Sequence, residues 1–323
     1  MKPHKWMTFP LIGLFAAWAS GGQTVRFVEK ADRIDILFGD RLFSRYLFAD
    51  SLTKPVLHPV HFPSGVSATR GFPLAPEPGE SNDHPHHIGV FFTVDEVNGN
   101  GFWNNTSGLP RVQHVRTVLK KEEEGIGILS TVSKWIGKNN KPLLREDRIM
   151  TFYPEEHTTT VDFSLRLTAL DTTVVFSDTK EGMFAIRAAD WLKEEGGSGK
   201  YLNSAGEESE KNVWGKRANW VRLEGILEGK PLGIVLFNHP ASTNYPTYWH
   251  ARGYGLFSAD PLGQLVFEQT RGNSKAAGFN LTLKPGEGAP FYFRMILYEG
   301  RSQKSDWDRV FESFSKSKPE NAR

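Results

Sequence analysis

Residues 161–167, Val-Asp-Phe-Ser-Leu-Arg-Leu, alternate apolar and polar without a break. A period of two places every second side chain on one face, which suits a sheet buried on one side and does not suit a helix. Residues 291–297 repeat the pattern, and similar runs occupy 24–29, 33–38, 126–135, 145–153, 220–227 and 232–237. Turn chemistry separates them, as at Gly39-Asp40, Asn98-Gly99 and Pro285-Gly286. Only 305–315 has helical spacing, with Trp307, Val310, Phe311 and Phe314 on one side. The pattern predicts an all-β fold, one large antiparallel β-sandwich over residues 21–323 with a short C-terminal helix. A polar, glycine-rich stretch at 193–216 reads as an insertion into that single domain, because the strand rhythm resumes after it.

The first 20 residues differ from the rest. Lys2 and Lys5 precede an apolar run at 9–17, and Ala17-Trp18-Ala19 supplies small residues around a cleavage site. This predicts a signal peptide over residues 1–20 and a periplasmic or secreted mature protein. No later segment reaches the roughly 20 apolar residues that a membrane span requires. The chain has no cysteine, which removes disulfides, thiolate nucleophiles and thiolate metal sites. Its net charge is +2 with well-mixed signs, so nothing favours a nucleic-acid partner.

Chemistry-bearing residues concentrate in two windows. In Asp83-His84-Pro85-His86-His87, three imidazoles stand beside a carboxylate. Pro85 biases His84 toward extended backbone, which places His84 and His86 on one face and His87 on the other. Such a group acts as acid and base near neutral pH, or His84 and His86 ligate a divalent metal. In Trp249-His250-Ala251-Arg252-Gly253-Tyr254, an imidazole and a guanidinium sit among aromatic rings. The Arg252 fork suits vicinal hydroxyls or a carboxylate, and Trp249 and Tyr254 offer faces for a sugar ring. Glu181 on a turn, Arg187 after it, Trp103 behind Asn98-Gly99, and His239 at a strand's end complete the polar set.

The order Arg70-Gly71-Phe72-Pro73, Asp83 to His87, Phe102-Trp103, Glu181-Gly182, Asn238-His239-Pro240 and Trp249 to Tyr254 resembles the PmoA-like family, exported bacterial proteins known by the name methane oxygenase. That name conflicts with the absence of a mature membrane span, since the methane monooxygenase subunit sharing it crosses the membrane repeatedly. The resemblance implies a galactose-mutarotase-like super-sandwich and a carbohydrate partner. It also implies His86, His87, His250 and Glu181 as acid–base groups, with Arg70, Trp103, Arg187, His239, Trp249, Arg252 and Tyr254 around the sugar. Three readings stand: a sugar epimerase, lyase or hydrolase; a His-ligated metal enzyme; or a sugar-binding protein without catalysis. No certain cofactor follows from the sequence.

Overall fold

Two eight-stranded antiparallel sheets carry the molecule. The structure is a computed structural model and describes residues 23–320, so the expected signal peptide lies outside the described residues. The first sheet runs in the order β1 (Val25–Glu29), β2 (Arg33–Phe38), β3 (Arg41–Leu47), β4 (Val56–Val60), β5 (Val90–Phe92), β11 (Phe184–Arg187), β16 (Leu256–Asp260) and β15 (Tyr248–Ala251). The second runs β12 (Lys200–Asn203), β13 (Trp220–Leu227), β14 (Lys230–Asn238), β18 (Gly288–Glu299), β9 (Thr158–Ala169), β8 (Pro142–Pro154), β7 (Ile126–Ile136) and β6 (Arg111–Glu123). A small pair, β10 (Val174–Phe176) with β17 (Leu281–Leu283), stands apart from both. Among the described residues no helix is long and apolar enough to cross a membrane.

The inner faces of the two sheets share one core, joined by rings such as Phe184 against Phe163 at 4.6 Å and Phe293 at 4.7 Å. Alternation decides which side chains enter it. In β9, Val161, Phe163, Leu165 and Leu167 are buried while Asp162 and Arg166 are half-buried on the other face. Ser164 also faces outward yet is buried, because the C-terminal segment lies over it and Glu320 accepts its hydroxyl. The outer face of the second sheet is closed by α3 (Lys304–Lys316), whose Trp307 and Phe314 pack on Trp220, Val235, Phe237 and Tyr298. Each ring so buried contributes roughly 2 kcal/mol. The polar stretch 193–216 is structured: it supplies edge strand β12 and the single turn α1 (Glu210–Val213).

Candidate functional site

The outer face of the first sheet has its own chemistry. Along β11, Phe184 and Ile186 enter the core, so Ala185 and Arg187 face the other way. The register aligns Phe91, Ala185, Ser258 and His250 across β5, β11, β16 and β15. The two middle positions are small, with the Phe91–Trp103 wall on one side of them and His250 on the other. Trp103 is fully buried, its ring 4.8 Å from Phe91 and 5.6 Å from His87. It lines this face as a wall and not as an open sugar platform.

The histidine window lies over that wall. The extended backbone expected for His84 is overridden by a turn, in which His87 N–H donates to the His84 carbonyl at 3.0 Å. His84 accordingly takes a left-handed φ of 45°, a strain of order 1 kcal/mol. All three rings gather on one side instead of splitting between two faces, with centroids 4.2–5.7 Å apart. Gly89 allows this close seating, because a Cβ there would collide with the Leu57 carbonyl on β4.

Asp83 ties the window to the sheet. One carboxylate oxygen accepts from Arg70 at 2.7 Å and from Arg187 at 2.6 Å, and the other meets His84 Nδ1. Both arginines are fully buried. Burial would raise the Asp83 pKa, but the His84 hydrogen bond and the two guanidiniums outweigh it and hold it at about 2. Arg70 also donates to Ser81 and to the carbonyls of His84 and His87, so it shapes the window from beneath.

The second window meets the first directly. The Tyr254 ring stacks on His84 at 4.7 Å with an interplanar angle of 5°. The guanidiniums of Arg187 and Arg252 lie 4.9 Å and 5.3 Å from its centroid. Tyr254 is therefore a hub between the windows, and burial lifts its hydroxyl to about 12. Arg252 is held by Glu210, Nε to Oε1 at 2.6 Å, and the same carboxylate accepts from Gly253 N–H at 2.9 Å. The insertion thus returns to brace this window.

Several expected roles are corrected. Trp249 is fully buried in the core and donates Nε1–H to the Ala218 carbonyl at 2.9 Å, because its β15 position faces inward while His250 faces out. His239 lies away from the site under the C-terminal segment: Nε2 donates to the Ser317 carbonyl at 3.1 Å, and the ring packs on Phe314. His250 is buried against Trp214 and Phe267 and donates Nδ1–H to the Lys180 carbonyl at 2.7 Å. It positions the Lys180–Glu181 segment, and burial lowers its pKa to about 3. Glu181 itself is half-buried, pairs with Lys180, and lies within electrostatic reach of Tyr254. His87 is buried behind His86, with both ring nitrogens unpartnered and its pKa pushed far down by burial and by positive neighbours. Among the described residues no group of three or more His, Asp or Glu side chains is placed to hold a metal ion. His84 Nδ1, expected as a ligand with His86, is turned to Asp83 instead.

Sequence reasoning missed Lys54. It is fully buried, donates to the Trp103 carbonyl at 2.9 Å, and sits 4.8 Å over the Phe91 ring. Burial lowers it from 10.5 to about 7, against a weaker opposing pull from Asp95. A lysine immediately before a proline at a strand's start carries no signal of burial in the sequence.

Comparison with known proteins adds the following. The model of DUF6807, a family of unknown function, matches residues 33–312. No curated protein matches the sequence. Among solved structures, a family 36 α-galactosidase from Geobacillus stearothermophilus overlaps at TM-score 0.42 and 10% identity, over 86% of this chain and 41% of that one. The chain thus spans about two fifths of that enzyme's length. A putative aldose 1-epimerase from Escherichia coli K12 overlaps at TM-score 0.36 and 12% identity, over 87% of this chain and 100% of the other. A galactose mutarotase-like protein from Lactobacillus casei gives 0.39 and 8%, over 85% and 100%. Overlaps of this depth carry no argument about chemistry.

Proposed function

This chain belongs to DUF6807, a family of unknown function, and from its site we propose that it acts on a carbohydrate by acid–base chemistry. The observation that carries the reading is the His84–Tyr254 stack, which brings two windows 170 positions apart in the numbering into one cluster. Within it, Asp83 accepts from His84 Nδ1, so in the neutral ring Nε2 keeps the lone pair that takes a proton. Arg70 and Arg187 keep Asp83 ionised and oriented, which favours His84 as its charge develops. His86 is half-buried beside it, and burial together with Lys54, His84, Arg187 and Arg70 lowers it to about 4. At neutral pH its imidazole is therefore uncharged. Glu181 and Arg252 border the cluster, with Arg252 supplying donors for hydroxyls.

Kinship with the PmoA-like proteins, a mutarotase-like ancestry, and export with a mature start between Ser20 and Thr24 belong to the same proposal. Among the described residues the geometry gathers no three ligands for a metal. Turnover on a panel of mono- and oligosaccharides tests the reading. His84→Ala is expected to lower the rate at least about 100-fold on the sugar that reacts, the usual scale for losing a positioned acid–base group. Wild-type protein that binds sugars without converting any would replace the enzyme by a binding protein. Full activity in His84→Ala would remove the Asp83–His84 pair from the chemistry.

A further inference from the structure

The cluster carries more buried positive charge than it balances. Arg70 and Arg187 are both fully buried and share a single carboxylate, Asp83, through the same oxygen. The nearby pairs Lys180–Glu181 and Arg252–Glu210 are each balanced one to one. Lys54 adds a third buried basic group, part-ionised at neutral pH, whose polar contact is the Trp103 carbonyl. Asp95 faces it as a counter-charge that opposes the effect of burial, and accepts from Trp103 N–H at 2.7 Å and from Asn104. Arg187 also keeps Nε and Nη1 unpartnered in the interior.

Burying a cation without a counter-charge costs free energy that folding alone does not return. Arg70 and Arg187, with part-ionised Lys54 beside them, create a positive field beneath the half-buried imidazoles of His84 and His86. The field reaches the rings themselves, because Lys54, Arg70 and Arg187 all act on His86.

We infer that the ligand is an acidic sugar, a uronic acid unit whose carboxylate offsets the surplus charge of the Arg70–Arg187 pair, to whose field Lys54 adds. This rests on the carbohydrate reading above and narrows it. A carboxylate is favoured because its planar, two-oxygen geometry matches guanidinium forks, of which the cluster has three. A neutral sugar presents the same hydroxyls to Arg252 and leaves the surplus uncompensated.

Titration calorimetry at pH 7 and low salt, with D-glucuronate and D-galacturonate against D-glucose and D-galactose, tests this. The uronates are expected to bind at least about tenfold tighter than their neutral counterparts. The advantage should shrink in salt strong enough to screen the field within a few ångströms. Lys54→Met replaces the cation by an apolar chain of similar length, so the fold is retained, and it should reduce the acidic-to-neutral affinity ratio several-fold. Neutral sugars binding as tightly as uronates would overturn the inference and leave the carbohydrate reading standing. Binding of neither class would overturn both. An unchanged ratio in Lys54→Met would overturn the role given to Lys54.

Discussion

Stability is expected to collapse between pH 6.5 and about 4, before most carboxylates begin to protonate. The cause is a set of histidines folded in their neutral form. Burial lowers His58, His86 and His114 from 6.5 to about 4 and His250 to about 3, and pushes His87 further down. Unfolded, each returns to its ordinary value near 6.5. Below that pH the unfolded chain binds protons that the native state refuses, so unfolding becomes more favourable as pH falls. Each such group contributes about 1.4 kcal/mol per pH unit until the pH reaches its folded pKa. His58, His87 and His250 are almost wholly buried and contribute fully, whereas half-buried His86 and His114 contribute less. Together they give a slope of roughly 4–7 kcal/mol per unit. Against a typical total of about 5–15 kcal/mol, unfolding should set in near pH 5. Urea titrations from pH 8 to 4.5 measure this, and the slope counts the protons. A flat profile down to pH 5 would mean that these imidazoles are accessible or charged in the native state. His58→Phe should lower the slope by about one proton.

The same burial explains what could be read from the sequence and what could not. Strands β2 and β13 lie at 33–38 and 220–227 as alternation predicts: β2 buries one face only, and in β13 Val221 and Leu223 enter the core while Trp220 lies under α3 on the other face. The helix expected at 305–315 spans Lys304–Lys316. Strand β6 escaped the pattern because two register shifts, at His114/Arg116 and Thr117/Leu119, break its period. It also lies at a sheet edge, with Val115 and Val118 exposed. Strand β5 takes only Val90–Phe92 from the largely apolar run 88–94, because the turn holding the histidines and Gly89 uses up its beginning. In the site, residue types were legible and partners were not. Asp83 binds Arg187 from 104 positions away, a pairing only the fold creates. Trp249 and His250 are neighbours with opposite fates, and the choice of face depends on which side of β15 the second sheet covers.

Lys54 shows the conflict between stability and chemistry most sharply, and replacing it should strengthen the fold. Its folded pKa is about 7 against an ordinary 10.5. The unfolded chain therefore holds a proton that the native state gives up between pH 7 and 10.5, and over that window stability rises with pH. Below about 7 both states are protonated, the slope vanishes, and the full cost of a buried ammonium remains. The span corresponds to a cost on the order of 4 kcal/mol at neutral pH. In Lys54→Met that cost disappears, while the hydrogen bond to the Trp103 carbonyl is lost at about 1 kcal/mol. A net gain of roughly 3 kcal/mol follows, which for a chain of this size raises Tm by about 5 °C. Thermal unfolding of both proteins at pH 7 and pH 10 provides the check. The variant should lead clearly at pH 7 and by little or nothing at pH 10, where wild-type Lys54 is already neutral. A variant less stable than wild type at pH 7 would show that the ammonium is paired in the native protein, and that the positive surplus beneath the histidines is smaller than the geometry indicates.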